Sequence, residues 1–471
     1  MIDVLVAGGG PAGLATAICC ARAGLSVAVA EPRAAPIDKA CGEGVMPAAL
    51  RRLTALGVSP EGFPLLGIRY LDASHRADAL FRHGPGRGVR RTTLHAALAD
   101  RAAALGIDVL PVRVTSFAQD ASHVSAAGVE ARYLIAADGL HSPIRRTLEA
   151  SRPDGVAGGG AAGSGSGPEA ALGKSRRADD AGRAGHGTGS AAPRYGLRQH
   201  FRLAPWTDLV EVYWTPHAEA YVTPVSDDLV GIGLLFARPI HPRPSGSIQP
   251  SAVSRAVGSP VAASPVAASP VAASPVAASP VGASPIPASP IAGSPIGASQ
   301  VAASPAAASP VADAPAPGDP APGDPAPGPL MGGASGEFSS RLAAFPTLVD
   351  RVGGAAAASD VRGAGPMRQE VRRRVYGRVL LVGDASGYVD ALTGEGIGVG
   401  LAQAEVLADC LAAGRPGDYE RAWRRVSSPA WRFTAGLLWS RNQPLLADRL
   451  VTAAQHFPWL FTTLVNHAAE A

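Results

Sequence analysis

The first 31 residues alternate between apolar runs and a glycine-rich segment. Residues 2–7, IDVLVA, are apolar and rich in β-branched side chains, which predicts a short strand buried on both faces. Residues 14–24, LATAICCARAG, are rich in alanine and end in glycine, which predicts a helix. Residues 26–31, SVAVAE, predict a second strand. The order of strand, glycine loop, helix and strand is typical of an α/β unit that binds a dinucleotide.

The glycine loop between these elements, GGGPAG at residues 8–13, has the spacing G-x-G-x-x-G. In this pattern Gly8 makes the tight turn, Gly10 lets the backbone approach a pyrophosphate, and Gly13 allows the helix to pack closely on the strand. The N-terminus of the helix offers amide donors and a positive dipole to the phosphates. The predicted cofactor contacts of this loop are Gly8, Gly10, Pro11, Ala12 and Gly13.

Glu31 stands at the end of the second predicted strand, about twenty residues after the loop. A carboxylate at this place accepts hydrogen bonds from the hydroxyls of an adenosine ribose. It also repels a 2′-phosphate, so the sequence argues against NADP at this first site. The motif alone does not distinguish FAD from NAD.

Further along the chain, three stretches alternate apolar and polar residues: RYGLRQHFRLAP, DLVEVYWTP and EAYVTPVSDDLVGIGLLF. Their β-branched and aromatic residues predict antiparallel strands. The segment FSSRLAAFPTLVDRV predicts a helix. Residues 416–471 mix aromatic and leucine-rich turns with arginines, which predicts a helical cap and is compatible with a peripheral membrane contact, although a stripe of this kind is more often core.

Two segments have a composition that does not build a packed core. Residues 151–193 are rich in Gly, Ala and Ser, and we expect a flexible insert there. Residues 242–333 contain ASPVA repeated with a five-residue period, and proline at that spacing opposes both helix and sheet ladders. We therefore expect a disordered repeat insert, and about 340 residues remain for folded domains.

Charge and cysteine content exclude several classes of function. The net charge is +4, and the arginines are spread among acidic residues without forming a basic stripe interleaved with aromatic residues, which argues against nucleic-acid binding. The four cysteines, Cys19, Cys20, Cys41 and Cys410, lack the spacing of a metal site, so no metal is expected. Reduced thiols, the absence of a signal-like N-terminus and the lack of 18 uninterrupted apolar residues predict a cytoplasmic protein.

Two later motifs resemble those of FAD-dependent oxidoreductases with the para-hydroxybenzoate hydroxylase fold. YLIAADGLHSPIRRTL, residues 133–148, resembles the family's Asp-Gly motif, which brings Asp138 and Gly139 toward the cofactor diphosphate. VLLVGDASG, residues 379–387, resembles its Gly-Asp motif of Gly383 and Asp384, in which the aspartate binds a ribityl hydroxyl. A ribityl chain belongs to a flavin, so the resemblance implies FAD.

Two more stretches carry the resemblance, and the first of them is similar to the geranylgeranyl reductase-like branch of this family. DKACGEGVMPAALRRLTALGV, residues 38–58, is similar to the segment that passes beside the flavin ring, which implies cofactor contacts by Cys41 and Gly42. VRRTTLHAALADRAAALGIDVL, residues 89–110, resembles the family's arginine helix, and Arg91 aligns with the arginine near the diphosphate. The last glycine cluster, Gly394, Glu395 and Gly396, would face the flavin ring from a helix N-terminus.

The resemblance implies a mixed α/β fold. It comprises a Rossmann-like FAD-binding domain with a parallel sheet, an interleaved antiparallel-sheet substrate domain and C-terminal helices. The expected order is FAD-binding domain at 1–150 with substrate-domain strands around 65–85, the first insert, a substrate sheet at 194–241 and the repeat insert. The substrate domain then returns at 334–375, the FAD-binding domain at 376–415, and the helical cap follows at 416–471.

For function, the resemblance implies that NAD(P)H reduces FAD, which then either activates oxygen or passes a hydride to a carbon–carbon double bond. Our first expectation is an NAD(P)H- and oxygen-dependent monooxygenase of a phenolic or other apolar small molecule, such as a polyketide or an isoprenoid. The alternative is a reductase of isoprenoid double bonds, because LTGEG resembles that branch whereas EAYVTPV matches its substrate motif only in part. The halogenase signature Trp-x-Trp-x-Ile-Pro is absent, and a non-catalytic flavin protein is a third class.

Two residues are weak catalytic candidates. Cys41 would place a thiol near the ring, and Glu395 would place a carboxyl beside a helix N-terminus. For both, a packing or capping role is an equally good explanation. The histidines His95, His141 and His200 have no partner at ligand spacing and are expected to be structural.

Overall fold

The computed structural model describes residues 1–150, 170–171, 192–237, 334–447 and 449–470. These residues belong to one compact unit. The repeat insert predicted at 242–333 lies outside the described residues, and so does the flexible insert predicted at 151–193 apart from residues 170–171 and 192–193.

The described part of the chain contains 19 strands. In chain order they are β1 (Ile2–Ala7), β2 (Val27–Ala30), β3 (Gly44–Val45), β4 (Phe63–Leu65), β5 (Gly67–Leu71), β6 (Arg76–Leu80), β7 (Gly86–Gly88), β8 (Asp108–Leu110), β9 (Ser116–Gln119), β10 (Val124–Ala126), β11 (Val129–Ala136), β12 (Ala170–Ala171), β13 (Arg194–Arg202), β14 (Leu209–Trp214), β15 (Ala218–Ser226), β16 (Leu229–Ala237), β17 (Arg362–Ala364), β18 (Val375–Tyr376) and β19 (Val379–Leu381).

It also contains 11 α-helices and two short 3-10 helices, Gly383–Ser386 and Pro416–Asp418. The α-helices are α1 (Pro11–Arg22), α2 (Pro47–Ala55), α3 (Arg91–Ala104), α4 (Pro143–Ala150), α5 (Ala334–Leu342), α6 (Pro346–Val352), α7 (Gly396–Ala412), α8 (Tyr419–Arg441), α9 (Pro444–Ala447), α10 (Leu450–His456) and α11 (Pro458–Ala469).

The first sheet is parallel at its centre. Strand β1 lies between β2 and β11, with Leu5 opposite Ala28 on one side and Leu134 on the other. Strand β19, from the far end of the chain, adds in parallel to β11 at Ile135. Strands β1 and β19 are almost fully apolar because helices cover both faces of this sheet. The N-terminal and C-terminal parts of the chain therefore build one Rossmann-like domain.

The second sheet has the order β17-β13-β16-β15-β14-β5-β6 among the described strands and is antiparallel except between β14 and β5. One face packs Leu234 and Phe236 against Phe338 of α5 and Leu348 of α6. The opposite face carries charged and polar residues on β13 and β15. That face turns toward the loop at residues 38–44 of the first domain, where Thr223 donates a hydrogen bond to the Gly42 carbonyl.

The C-terminal helices cover the edge of the second sheet. Val451 of α10 and Phe461 and Val465 of α11 pack with Ile68 and Trp214 in one apolar cluster. Helix α8 packs against α7 and connects the two domains.

The predicted fold class, mixed α/β with a Rossmann-like domain, an antiparallel sheet and C-terminal helices, is confirmed. One predicted helix is wrong: FSSRLAAFPTLVDRV is divided between α5 and α6. Pro346 lacks the N–H that would continue α5 and instead stands at the first position of α6, where no donor is needed.

Candidate functional site

The loop after β1 depends on glycine at two positions. Gly8 has φ of 109°, and a Cβ there would lie 2.6 Å from the carbonyl oxygen of Ala137. A Cβ on Gly13 would overlap the Gly8 carbonyl oxygen, so α1 could not approach the loop so closely with any other residue. The loop leads directly into α1. The first amides of a helix have no partner within the helix, and in α1 they point back toward the loop.

Glu31 lies beside this loop. Its carboxylate accepts a hydrogen bond of 2.8 Å from the amide of Gly9 and two from the side chain of Arg33. Burial opposes ionisation of Glu31, but the hydrogen bonds from Arg33 and from the backbone outweigh it and lower the pKa of the carboxyl. The group is therefore a carboxylate at neutral pH and an acceptor for hydroxyl groups of a ligand in the loop.

Arg91, the first residue of α3, approaches the same loop. A Cβ on Gly10 would lie 3.7 Å from Nη2 of Arg91, so the guanidinium stands next to the loop amides. Its Nε is buried and has no hydrogen-bond partner among the described residues. A buried guanidinium with a free donor, next to a glycine loop at a helix N-terminus, suits a phosphate oxygen.

Asp138 and Gly139 follow β11 and lie on the other side of the Gly8 turn. Oδ2 of Asp138 accepts a hydrogen bond from the amide of Ile144, whereas Oδ1 is buried without a partner in the described part of the chain. Burial raises the pKa of this carboxyl. Gly139 has φ of 85°, and a Cβ there would be 3.6 Å from Nζ of Lys39.

The late Gly-Asp motif is packed onto the N-terminal loop. Gly383 has φ of 63°, and a Cβ there would lie 2.7 Å from the Cβ of Ala12. Asp384 forms an ion pair of 3.2 Å with Lys39, the residue that also approaches Gly139. Arg145 in α4 donates hydrogen bonds to the carbonyls of Asp384 and Ala385. Residues that are more than 370 positions apart in the sequence thus form one cleft.

The segment from Cys41 to Gly44 is held by a buried network that sequence analysis missed. Glu43 has a positive φ of 60°, and its carboxylate contacts Nε2 of His200 at 2.6 Å and accepts a hydrogen bond from the amide of Arg91. Arg198 contacts His200 at 3.0 Å and pairs with Asp38. His200 was expected to be structural, and it is, but its partner Glu43 is 157 positions away and the sequence gives no signal for this pairing.

Cys41 itself is half-buried, and its sulfur accepts a hydrogen bond of 3.3 Å from the amide of Glu43. Burial raises the pKa of the thiol despite the nearby Arg91. The thiol is therefore neutral at pH 7, which favours a packing role over nucleophilic chemistry. Nothing lies within 4 Å of a Cβ placed on Gly42, so this residue borders open space.

A second buried network joins the second sheet to the C-terminal helices. Arg194 of β13 pairs with Glu219 of β15 at 2.6 Å and with Asp390 at 3.0 Å. Arg441 at the end of α8 also pairs with Glu219, which has no solvent exposure. Asp390 caps the amide of Leu392 and so fixes the loop that leads into Gly394. Sequence analysis missed these four residues too.

Glu395 precedes α7 and is almost fully buried between two narrow cavities. One is mainly apolar, and the other is more polar and includes Asp384, Tyr388 and Asp390. Thr393 donates a hydrogen bond to Oε2 of Glu395 at 3.1 Å, and Oε1 is buried without a partner among the described residues. Burial raises the pKa of Glu395 to about 8, and neither cavity has a lysine or arginine in its lining. Glu395 is therefore mostly a neutral acid at pH 7.

The remaining predicted residues lie around the same loops. Gly394 has φ of 70° and faces the terminal methyl of Met46, while Gly396 begins α7 beside the ring of Tyr388. Among the described residues there is no cluster of three or more metal-ligating side chains. The same residues include no helix that is both long and apolar enough to span a bilayer.

Comparisons with known proteins identify the cofactor of this cleft. Residues 1–158 match the family described as FAD binding domain. A curated relative, menaquinone reductase of Mycolicibacterium smegmatis, is 49% identical over 57 residues, which is 12% of this chain and 14% of the relative. This chain therefore aligns with only about a seventh of the length of the curated relatives it matches, and a match of this length does not show that it shares their activity.

Solved flavoproteins share the fold across nearly the whole chain. A flavoprotein/dehydrogenase from Cytophaga hutchinsonii has a TM-score of 0.62 at 15% identity and covers 100% of this chain and 93% of its own. HpxO of Klebsiella pneumoniae, complexed with FAD and uric acid, has 0.59 at 15% identity, with 100% and 97% covered. The anhydrotetracycline hydroxylase OxyS from Streptomyces rimosus has 0.57 at 17% identity, with 99% and 75% covered.

The match over residues 1–158 assigns an FAD-binding domain to this part of the chain, so FAD is its cofactor. The residues of the cleft fit this cofactor. Arg91 offers a free donor for a diphosphate beside the loop, Glu31 offers acceptors for a ribose, and Asp138 has a free buried oxygen. The expected FAD is thus confirmed, whereas the contact of each residue and the geranylgeranyl reductase-like branch stay predictions.

Proposed function

We propose that this protein is an NAD(P)H- and oxygen-dependent monooxygenase that hydroxylates a phenolic or other apolar small molecule. The observation that carries the proposal is the FAD-binding cleft. The second sheet borders this cleft through Thr223, and an apolar cavity lies beside Glu395. FAD, when bound, would supply the redox chemistry between NAD(P)H and oxygen. The chain must bind the two substrates, exclude water and manage protons.

The phosphate end of the cofactor is assigned to the loop at residues 8–13 together with Arg91 and Asp138. Loop amides and the Arg91 guanidinium neutralise the diphosphate, and Glu31 holds the adenosine ribose. Asp384 is assigned to the ribityl hydroxyls. Lys39 supports this role, because its ion pair with Asp384 fixes the carboxylate within the cleft.

The substrate end is assigned to the space around Glu395. The smaller cavity there is lined by small and apolar residues from three parts of the chain, namely Gly44, Met46, Ala48, Ala49, Ile397, Ala468 and Ala469. The cavity has a volume of about 10 Å³, which is room for one water molecule, so a substrate must displace side chains to enter it, and the lining favours an apolar ligand over a charged one. Glu395 supplies the polar group, because the proton on its unpartnered Oε1 can be donated to an oxygen of a ligand.

Oxygen consumption tests this proposal directly. The holoenzyme is mixed with NADH or NADPH and a panel of phenols, and we expect stimulated oxygen uptake with a product one oxygen atom heavier. Glu395→Gln should keep FAD and lower the turnover at least about tenfold, because an amide does not deliver a proton. Absence of substrate-stimulated oxygen uptake across the panel, with FAD bound and reducible, would count against hydroxylation.

A reductase of isoprenoid double bonds is the second candidate. One specific observation favours it, namely the local identity of 49% with menaquinone reductase of Mycolicibacterium smegmatis. The same cleft would then direct reducing equivalents to a double bond of an apolar chain. Anaerobic incubation of the reduced enzyme with menaquinone or geranylgeranyl substrates separates the two functions, since a reductase adds two hydrogens per double bond and a monooxygenase leaves the substrate unchanged.

We also propose a cytoplasmic location with a peripheral contact to the membrane. An apolar substrate partitions into lipid, so an enzyme for it gains from working at a bilayer surface. Nucleic acid is not proposed as a partner. Cell fractionation tests the location, and a protein found in the soluble fraction at all salt concentrations would contradict the membrane contact.

A further inference from the structure

The C-terminal helices, from α8 to α11, expose an unusual amount of apolar surface. Six of the large hydrophobic side chains that are exposed in the described residues lie between Trp439 and Leu464. They include all the exposed aromatic ones, and Trp459 is 67% exposed and Phe457 53%. Isolated exposed leucines are common in soluble proteins, but a contiguous group that contains Trp and Phe marks an interaction surface.

This surface belongs to an ordered hairpin made of α10, Phe457 and α11, here called the C-terminal hairpin. Asn466 holds it to β6 by two hydrogen bonds, one from the amide of Arg82 at 2.7 Å and one to the carbonyl of Leu80 at 2.9 Å. On its inner side, Phe461 and Val465 are buried in the core. The exposed residues are therefore not the inner face of a displaced helix.

Helix α11 carries two neighbouring apolar stripes. Phe461, Val465 and Ala468 form the buried stripe, whereas Leu460 and Leu464 form an exposed stripe at the spacing of one helical turn. A surface helix of a monomeric protein normally has a polar outer face. On α11 the outer side includes the polar Thr463 and His467 but also the exposed Trp459, Leu460 and Leu464, and exposed apolar side chains of this size indicate that something apolar covers the hairpin.

The charges near the hairpin indicate what covers it. Between Glu420 and Glu470 the sequence has six arginines and only one acidic residue, Asp448. Arg432 and Arg449 are exposed. An apolar tip with Trp and Phe, in a C-terminal segment with exposed arginines and one acidic residue, matches the interfacial layer of a bilayer with anionic lipids.

The hairpin also touches the proposed substrate cavity. Ala468 and Ala469 at the end of α11 line the cavity that contains Glu395 and Met46. We propose that the C-terminal hairpin inserts its tip, Phe457 to Leu464, into the surface of an anionic bilayer and that apolar substrate passes from the lipid along α11 to this cavity. The delivery of substrate through this contact rests on the proposed function. Binding of the hairpin to vesicles does not, because it can be measured without turnover.

Vesicle flotation of the FAD-loaded protein tests the surface without any reaction. We expect binding to vesicles with about 30 mol% phosphatidylglycerol and weaker binding to pure phosphatidylcholine, with a loss of binding in salt. The double variant Trp459→Ser/Leu460→Ser should bind at least about tenfold more weakly, because two large side chains no longer leave water. Val109→Ser removes an equally exposed side chain (49%) from β8 and should bind as the native protein does.

Two results would overturn the inference. One is native protein that fails to float with anionic vesicles, and the other is a double variant that floats as well as the native protein. Light scattering after gel filtration identifies the competing occupant, a second copy of the chain. If the native protein is a dimer that does not bind vesicles and the double variant is a monomer, the hairpin is a dimer interface. If the native protein fails to float but still hydroxylates its substrate, the membrane inference is wrong and the proposed hydroxylation is not affected.

Discussion

Replacement of Glu395 by glutamine should stabilise the protein, and increasingly so as the pH rises. The carboxyl of Glu395 is 7% exposed, and burial raises its pKa from 4.5 to about 8. The groups that face it are Tyr70 of β5 and Asp384, Tyr388 and Asp390 of the shared polar cavity, all neutral or acidic, so no cation favours its ionised form. Glutamine has nearly the same shape and cannot ionise.

The size of the effect follows from proton linkage. In the unfolded chain Glu395 loses its proton near pH 4.5, whereas in the folded protein it keeps the proton until about pH 8. Between these values the folded state binds one more proton, so Glu395 lowers the free energy of unfolding by about 1.4 kcal/mol for each pH unit of increase. The full interval corresponds to an upper limit of about 5 kcal/mol, and water entry around the carboxylate reduces it to a few kcal/mol.

Urea denaturation followed by tryptophan fluorescence at pH 4, 6 and 9 measures this effect. The two proteins should have nearly equal stability at pH 4, and Glu395→Gln should be the more stable by about 3 kcal/mol at pH 9. Glu370→Gln is the matched control, because the Glu370 side chain is 77% exposed and its loss should give a difference that does not vary with pH. Parallel stability profiles for native protein and Glu395→Gln would refute a buried neutral acid at this position.

Three further changes test other parts of the site. Gly13→Ala should abolish FAD binding, seen as loss of flavin absorbance per protein, whereas Gly417→Ala, with open space around its Cβ, should keep it. His200→Ala should lower the free energy of unfolding by about 3 kcal/mol, because it leaves Glu43 buried without its partner, and a change under about 1 kcal/mol would contradict that pairing. Cys41 should react with iodoacetamide at pH 8 at least about tenfold more slowly in the folded than in the unfolded protein, because burial raises the pKa of its thiol; peptide mapping that shows equal rates would contradict this.

The parts of the fold that the sequence predicts well are those set by local interactions. Strand β1, the glycine loop and α1 follow from residues 2–24 alone, because each element is defined by periodicity or by a glycine at a fixed place. The break between α5 and α6 was also accessible, since Pro346 marks it in the sequence.

The parts that could not be predicted depend on contacts between distant charged residues. Glu43 and His200 pair across 157 positions, and Arg441 reaches Glu219 across 222 positions. A glutamate within Cys-Gly-Glu-Gly gives no local signal of burial, because only the second sheet, once folded, removes it from water. Burial of a charge is a property of the tertiary structure, and periodicity reports only which face of an element is apolar.

The two buried networks explain how one site is built across two long inserts. Arg198 and His200 fix the segment at residues 41–44 to one part of the second sheet, and Arg194 with Glu219 fixes the loop after Asp384 and the end of α8 to another. Removing one member of such a network leaves an uncompensated buried charge, so the sheet and the cofactor loops hold each other in place. Arg194 is the first residue of β13, directly after the first insert, and the connection after β16 carries the second. Because Arg194 anchors the chain directly after the first insert, and β16 is held between β13 and β15 before the second, these contacts and not the length of the inserts set the geometry of the site.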